Sequence, residues 1–248
     1  MLLPFDFAPD EFGREVAALP DDAWQPHFNT DYYEGDWSGV PLRSSGGAVA
    51  LFSDPNAKNP WTDTEWLERC PHLQAALASF KCPLLSVRLL RLGPGARIRE
   101  HRDYQIGFDV GEIRFHIPVQ TGDEVDFVLA EQRIAMSPGD CWYVDVTQPH
   151  HVTNHGASPR VHLVIDCVVN DWLRDTLATA MVTAFERFAK RVQREPALEE
   201  ALWATDDLVS FAARAVELGR ERGLPFEDAQ VASTMHEARL RWFNSRNG

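Results

Sequence analysis

Apolar and polar residues alternate in short runs between Pro83 and Val169, and turn residues separate the runs. The clearest separators are Gly93-Pro94-Gly95, Thr121-Gly122-Asp123 and Pro138-Gly139-Asp140. Many short strands at such spacing are typical of an antiparallel sandwich or barrel. The pattern predicts strands over residues 84–92, 98–103, 113–120, 126–130, 133–136, 141–146 and 161–169.

Helical patterns flank this β-rich region. Residues 10–19 and 61–80 carry helical spacing, the second interrupted at Pro71, whereas residues 46–52 have the pattern of a strand. After Asn170 the chain is predicted to be helical, and we expect one domain over residues 1–170 and a helical region over 171–248. The first of the C-terminal helices has an apolar stripe formed by Trp172, Leu173, Leu177, Met181, Phe185 and Phe188.

The composition narrows the possible functions. The 248 residues carry a net charge of -13, and an acidic surface repels phosphate backbones, so we expect no nucleic-acid partner. The N-terminal sequence has no basic segment followed by an apolar core, and no stretch is long and apolar enough to cross a bilayer. Four widely spaced cysteines fit neither a Cys-x-x-Cys metal site nor a small disulfide scaffold. These features predict a cytoplasmic protein with reduced thiols and no membrane partner.

Histidines are concentrated in the β-rich region, where six of the nine lie between His101 and His162. His101 and Asp103 are two residues apart in a predicted strand, so both side chains are expected on one face. With a distant histidine they would form the two-histidine, one-carboxylate set that binds non-haem Fe(II) and leaves positions open. His150 is the expected third ligand, with His151 and His155 as alternatives, and Asp103 has alternative roles in a turn or in an ion pair with Arg102.

Two further segments place arginine and histidine on one strand face. Arg114 alternates with His116, and Arg160 alternates with His162. Such a face could line a cavity that binds an anion, because guanidinium groups pair with carboxylates through two charge-assisted hydrogen bonds. An ordinary solvent-facing strand is the alternative. Arg88 and Arg91 are three residues apart and cannot share a face, so we expect at most one of them to reach the cavity.

The region from Arg88 to Asp166 resembles the catalytic core of the aspartyl/asparaginyl β-hydroxylase family of Fe(II)/2-oxoglutarate dioxygenases, and most resembles the branch that includes bacterial L-proline cis-4-hydroxylases. The resemblance covers roughly residues 20–170 and includes a segment from Gly35-Asp36-Trp37 to Leu42-Arg43. The motifs that carry it are Ile98-Arg99-Glu100-His101-Arg102-Asp103-Tyr104, Ile113-Arg114-Phe115-His116-Ile117, Gly139-Asp140-Cys141-Trp142-Tyr143-Val144-Asp145, Pro149-His150 and Pro159-Arg160-Val161-His162-Leu163-Val164-Ile165-Asp166.

The resemblance implies a mostly β fold with α elements: a double-stranded β-helix, or cupin-like jelly roll, with N-terminal helices and a C-terminal helical region. It implies that His101, Asp103 and His150 bind Fe(II), although the vertebrate members lack the carboxylate. Arg160 matches the arginine that pairs with the distal carboxylate of 2-oxoglutarate. Arg114 and His116 match cavity residues that contact cosubstrate or substrate, and we assign His116 to the cosubstrate and Arg114, Arg88 and His162 to the substrate.

The predicted function is therefore hydroxylation of an amino-acid side chain, of aspartate/asparagine or proline type, free or within a peptide, with 2-oxoglutarate and O2 as cosubstrates. One alternative is a cupin metalloenzyme that needs no 2-oxoglutarate; another is a non-catalytic module that binds a small acid or peptide. The C-terminal region resembles the leader-like domains of ribosomal peptide precursors between residues 185 and 239, with a cap or dimerisation element as the alternative. A homodimer is compatible with the sequence.

Overall fold

The computed structural model describes residues 1–5, 7–51, 59–192, 195–205 and 207–232. Within these ranges, twelve strands form two antiparallel sheets. The strands are β1 (Gln25–Pro26), β2 (Tyr33–Glu34), β3 (Trp37–Ser45), β4 (Trp61–Asp63), β5 (Leu84–Leu92), β6 (Arg97–His101), β7 (Glu112–Gln120), β8 (Val125–Leu129), β9 (Gln132–Arg133), β10 (Trp142–Val144), β11 (His150–Asn154) and β12 (Arg160–Val168).

The larger sheet has the order β1-β3-β5-β12-β7-β10, with β4 paired to β3, and the smaller sheet has the order β2-β6-β11-β8-β9. Side chains from the two sheets meet between them. The Phe127 ring of the smaller sheet lies 5.5 Å from the His116 ring of the larger sheet, and the Arg160 guanidinium lies 5.8 Å from the same phenyl ring. The fold is a double-stranded β-helix, which confirms the predicted class.

Three long neighbouring strands, β5, β12 and β7, form the centre of the larger sheet. Their apolar side chains, including Phe115, Leu163 and Ile165, are completely buried. The Phe115 ring packs 5.5 Å from Phe80, which also lies 6.4 Å from Trp172. The polar residues at the alternate positions of β7 and β12 therefore face away from this apolar layer and toward the smaller sheet.

The helices of the first compact unit, residues 5–174, precede the central strands. They are α1 (Pro9–Ala18), α2 (Glu65–Glu68) and α3 (Pro71–Ala78), with short 3₁₀ turns at Asp21–Ala23, Thr30–Tyr32 and Phe108–Val110. The Glu15 carboxylate of α1 accepts hydrogen bonds from the backbone N–H groups of His72, at 2.6 Å, and Leu73, at 3.0 Å. It thereby satisfies N–H groups at the start of α3, where residue Cys70 supplies no side-chain cap.

The second compact unit, residues 1–4 and 175–248, contains most of α4 (Asp171–Val192), α5 (Pro196–Trp203) and α6 (Leu208–Glu221). Phe226 packs 5.0 Å from Phe188 and 5.1 Å from Phe185. The predicted stripe of α4 includes the buried residues Leu173, Leu177 and Phe188. The side chain of Met181 and residues 233–239 of the leader-like segment lie outside the part of the chain that the structure describes.

Three predicted elements differ from the structure. The strand predicted over residues 133–136 shares only Arg133 with β9. Residues 46–51 are not a strand, because Gly46 and Gly47 adopt φ values of 71° and 67° and turn the chain after β3. Residue 52 lies outside the described residues. The predicted helix over 61–80 begins instead with β4, which pairs with β3, and the interruption at Pro71 is confirmed as the start of α3.

Five strands were not predicted, namely β1 to β4 and β11, and the longest of them are β3 and β11. β3 joins the larger sheet beside β5, and β11 lies between β6 and β8 in the smaller sheet. β3 contains Gly39 and Pro41, which lower its intrinsic β propensity, so its pairing with β5 and not its local sequence makes it a strand. β11 begins at His150, directly after Pro149.

Candidate active site

His101 and His150 are paired residues of neighbouring strands. His101 ends β6, His150 begins β11, and the antiparallel register sets the two Cα positions opposite each other. Their ring centroids are 4.2 Å apart, with an angle of 50° between the planes. Directly opposed residues project to the same face of a sheet, so the sheet brings together two imidazoles that are distant in sequence.

Backbone carbonyl groups fix the orientation of both rings. The Nδ1 atom of His101 lies 2.8 Å from the Arg99 carbonyl oxygen, and the Nδ1 atom of His150 lies 3.0 Å from the Gln148 carbonyl oxygen. A carbonyl only accepts, so each Nδ1 donates its proton, which in the neutral imidazole leaves the lone pair on Nε2. Such hydrogen bonds orient the histidines of metal sites and favour one tautomer.

Asp103 completes the group from a position just beyond β6. Its backbone N–H donates to the Val146 carbonyl oxygen at 2.9 Å, and its Oδ1 lies 3.9 Å from His101 Nε2. One ligand atom from each of His101, Asp103 and His150 lies within 4.8 Å of the others, so the three residues could hold a metal ion. Asp103 follows the strand that was predicted to contain it, yet its side chain still converges with His101.

The charge state of His150 suits a metal ligand. Burial lowers its pKa below the usual value, and this effect outweighs the hydrogen bond to the Gln148 carbonyl. A neutral imidazole is the form that binds metal. Two imidazole nitrogens and one carboxylate oxygen are the donor set of non-haem Fe(II) sites that keep open positions, so the residues present fit Fe(II).

The alternative histidines lie elsewhere. His151 is 4.0 Å from Glu100 Oε2, and His155 Nε2 is 3.1 Å from Asp126 Oδ2. His151 follows His150 along β11 and therefore projects to the opposite face of the sheet. Neither histidine belongs to the group formed with His101 and Asp103.

A buried charge network adjoins this group. The Arg114 guanidinium donates from Nε and Nη2 to the two oxygens of Asp166, at 2.7 and 3.0 Å, and from Nη1 to Asp103 Oδ2. Arg88 Nη1 lies 3.1 Å from Asp166 Oδ2. Burial would raise the pKa of Asp166, but Arg114 and Arg88 outweigh it and hold the pKa below its usual value. Arg91, three residues after Arg88, instead stacks over Trp24, 4.3 Å from the ring centre. One of these two arginines therefore faces the interior, as predicted.

A second basic cluster lies deeper between the sheets. Arg160, His162 and His116 are all buried, and Arg160 Nη2 donates to His162 Nδ1 at 2.7 Å. His116 Nδ1 lies 3.4 Å from the same nitrogen. Within the described part of the chain, neither Arg160 Nε nor His162 Nε2 has a hydrogen-bond partner. Burial lowers the pKa of Arg160 to about 9, and burial, followed by the Arg160 charge, lowers the pKa of both histidines well below 6.5.

Three residues near the metal group were not predicted as site residues. Asp166 shares the interior face of β12 with Arg160 and His162, so the same alternation could have identified it. Tyr32 lies 5.6 Å from the His101 ring, and His27 stacks 3.6 Å from Trp37. Burial, with a smaller contribution from the Arg88 and His101 charges, lowers the pKa of His27 to about 4. Tyr32 and His27 precede the β-rich region and carry no sequence signal of their position.

Comparison with known proteins gives the same family. The chain is 25% identical over 139 residues to an L-proline cis-4-hydroxylase from Rhizobium meliloti (strain 1021), an alignment that covers 55% of this chain and 49% of the relative. This chain therefore matches about half the length of that curated relative.

Solved structures of similar proteins include an oxidoreductase of the 2OG-Fe(II) oxygenase family from Burkholderia pseudomallei, with a TM-score of 0.41, 16% identity and coverage of 65% of this chain and 81% of that one. A Cupin 2 conserved barrel domain protein from Salinispora arenicola CNS-205 has a TM-score of 0.33 and 15% identity, and covers 65% of this chain and 94% of its own. The sequence model described as Aspartyl/Asparaginyl beta-hydroxylase matches residues 11–169, well over half of the chain, and the protein therefore belongs to the aspartyl/asparaginyl β-hydroxylase family.

Proposed function

We propose that this protein is an Fe(II)- and 2-oxoglutarate-dependent dioxygenase that hydroxylates an amino-acid side chain. The observation that carries the proposal is the convergence of His101, Asp103 and His150 within 4.8 Å, close to buried arginines. Bound Fe(II) with 2-oxoglutarate and O2 supplies the insertion of one oxygen atom into a C–H bond, with succinate and CO2 as the other products. The protein's own contribution is to bind and orient the substrate and the cosubstrate and to exclude water.

His101 and His150 would hold the iron through Nε2 and Asp103 through a carboxylate oxygen. The Nδ1 hydrogen bonds of both histidines keep the rings fixed before the metal binds, which reduces the reorganisation that binding requires. Three protein ligands leave coordination positions for a chelating 2-oxo acid and for O2.

Arg160 would bind the distal carboxylate of 2-oxoglutarate. Arg160 is 2% exposed, and burial lowers its pKa without any opposing effect of a carboxylate among the residues that the structure describes. A buried, uncompensated charge is costly, and an anion that pairs with it removes that cost. His162 accepts one hydrogen bond from Nη2, and Nε has no hydrogen-bond partner among the described residues, so Nε is available to the ligand. His116, which adjoins His162, is the second predicted contact of the cosubstrate.

Arg88 is the better of the two predicted anchors for a substrate carboxylate. Its Nε has no hydrogen-bond partner in the described ranges, whereas Arg114 uses Nε, Nη1 and Nη2 on Asp166 and Asp103. The Arg88 charge contributes to the lowered pKa of His27, which precedes Tyr32 by five residues. The predicted substrate residue His162 contacts Arg160 and His116, which favours a supporting role for it at the cosubstrate end.

The substrate class follows from these features and from the relatives. An amino acid, free or within a peptide, offers the carboxylate or amide group that Arg88 would bind, and the matched relative is named for a free amino acid, L-proline. Tyr104 and Phe28, exposed by 78% and 70%, flank the segments that carry His101 and His27 and could contact a side chain of the substrate. We propose proline-type or aspartate/asparagine-type substrates on this basis.

Two other functions make different predictions. A cupin metalloenzyme of another reaction class would bind metal without any effect of 2-oxoglutarate, and a binding module would hold a small acid or a peptide without turnover. The combination of a buried Arg160 with the three-ligand group favours the dioxygenase over both. The roles proposed for residues 171–248 are a cap, a dimerisation element or a leader-like module, and a cytoplasmic location is part of the same proposal. Among the described residues, no helix is long and apolar enough to cross a membrane.

Succinate formation is the deciding measurement. Purified protein is supplied with Fe(II), 2-oxoglutarate and O2, alone and with a panel of amino acids and peptides, and matched samples receive a chelator. We expect succinate release that a member of the panel stimulates and that the chelator abolishes. Iron binding without any succinate and without any effect of 2-oxoglutarate on the metal would favour the cupin or binding-module function instead.

A further inference from the structure

Arg114 joins two carboxylates in the interior of the protein. Its Nε and Nη2 donate to Asp166 at 2.7 and 3.0 Å, and its Nη1 donates to Asp103 Oδ2. Both carboxylates together outweigh the effect of burial and raise the pKa of Arg114 above its usual value. A guanidinium with all three nitrogens engaged is poorly placed to bind an incoming substrate.

Asp166 fixes Arg114 to the most regular part of the fold. The two residues are directly paired in the register of β12 and β7, and Asp166 is 7% exposed. Arg88, from the strand on the other side of β12, donates to the same carboxylate at 3.1 Å. The bidentate contact therefore holds the Arg114 guanidinium in one orientation.

Asp103 has no such support from a strand. It follows β6, and its side chain is 30% exposed, compared with 10% for Asp166. Its two oxygens have different surroundings, because Oδ2 accepts from Arg114 whereas Oδ1 lies 3.9 Å from His101 Nε2. Oδ1 is thus the oxygen that faces His101.

We propose that Arg114 is a positioning residue for the carboxylate ligand Asp103, with Asp166 as its anchor. This inference rests on the proposed Fe(II) site. The hydrogen bond from Arg114 to Oδ2 holds the Asp103 carboxylate in one orientation, with Oδ1 toward His101. Loss of that hydrogen bond would leave a partly exposed carboxylate, outside a strand, free to rotate before the metal binds.

Co(II) affinity in the absence of 2-oxoglutarate and substrate tests the proposal. The variants are Arg114→Lys and Asp166→Asn, and the matched control is Arg91→Lys, an arginine of β5 that stacks on Trp24. We expect both interior variants to weaken Co(II) binding by about 10- to 100-fold, the usual effect of removing an outer-shell partner. Their visible Co(II) absorption bands should change, whereas Arg91→Lys should retain the affinity and the spectrum of the unaltered protein.

A result against the positioning role of Arg114 can be distinguished from a result against the proposed function. Unchanged Co(II) affinity in Arg114→Lys, together with a higher KM for the amino-acid substrate or 2-oxoglutarate, would assign Arg114 to ligand binding and overturn the proposal. Failure of the unaltered protein to bind Co(II) would instead contradict the proposed function. Far-UV circular dichroism verifies that each variant is folded.

Discussion

Arg160 donates a hydrogen bond to Nδ1 of His162 at 2.7 Å, and the two side chains are 2% and 1% exposed. His162 must be neutral to accept this bond, and burial together with the Arg160 charge lowers its pKa well below 6.5. The imidazole therefore orients the guanidinium without neutralising it. The interior retains a positive charge that a dicarboxylic cosubstrate can pair with.

Replacement of Arg160 by alanine should mainly raise the 2-oxoglutarate requirement. Loss of a charged hydrogen bond costs about 1.5–3 kcal/mol, which corresponds to an increase of about 10- to 150-fold in the 2-oxoglutarate KM. The measurement is succinate formation against 2-oxoglutarate concentration at saturating Fe(II). Co(II) affinity without 2-oxoglutarate should stay unchanged, and an unchanged 2-oxoglutarate KM would argue against Arg160 as the anchor.

Acid should destabilise the folded protein through its buried histidines. Burial lowers the pKa of His27 to about 4 and the pKa values of His116 and His162 well below 6.5. These residues stay neutral when folded but gain protons when unfolded below about pH 6.5, so the unfolded state binds more protons and the free energy of unfolding falls as pH falls. Each histidine contributes up to about 1.4 kcal/mol per pH unit between about 6.5 and its folded pKa.

Urea denaturation at pH 7.5, 6.5 and 5.5 measures this dependence. The free energy of unfolding, plotted against pH, should have a steeper slope below pH 6.5. The variant His116→Gln should have a smaller slope over the same pH range. Equal slopes for the variant and the unaltered protein would show that His116 takes up a proton in the folded state.

Two glycines should respond in opposite ways to alanine substitution. A Cβ atom at Gly39 would lie 2.7 Å from both the Leu89 carbonyl oxygen and Leu51 Cδ1, so β3 could not keep its distance from β5. Gly13, inside α1, has no atom within 4 Å of such a Cβ. We expect Gly39→Ala to lower the free energy of unfolding by about 1–3 kcal/mol and Gly13→Ala to raise it by about 0.5–1 kcal/mol. Urea denaturation of both variants compares them, and a stable Gly39→Ala would contradict the close approach of the strands.

The sequence predicted the centre of the larger sheet better than its margins. Residues 84–92 were predicted as a strand with the observed bounds, since a long alternating run at the middle of a sheet satisfies both local preference and burial. β3 was missed because the hydrogen-bond partners of β5 override the unfavourable Gly39 and Pro41. The strand predicted over residues 46–52 is absent from the described part, 46–51, because two consecutive glycines favour a turn.

The same holds for the candidate site: features with a local sequence pattern were predicted, and features that depend on tertiary contacts were not. The alternation of Arg160 and His162 predicted a buried basic face, and His101 with Asp103 follows a spacing that ligand chemistry favours. The groups that orient the two histidines are the backbone carbonyls of Arg99 and Gln148. Every residue has such a carbonyl, so no sequence pattern indicates these two. The approach of Tyr32 to His101 depends on the pairing of β2 with β6.

Adjacent histidines offer a sharp test of the metal ligands. His150 lies beside His101, whereas His151 projects to the other face of β11 and is near Glu100. His150→Ala and His101→Ala should each abolish Fe(II)-dependent succinate formation and weaken Co(II) binding by at least about 10- to 100-fold, because each removes a direct ligand and ligand loss costs no less than loss of an outer-shell partner. His151→Ala, the matched control one residue away, should retain both properties. Isothermal titration with Co(II) and the succinate assay measure the effects, and full activity of His101→Ala would refute the three-ligand site.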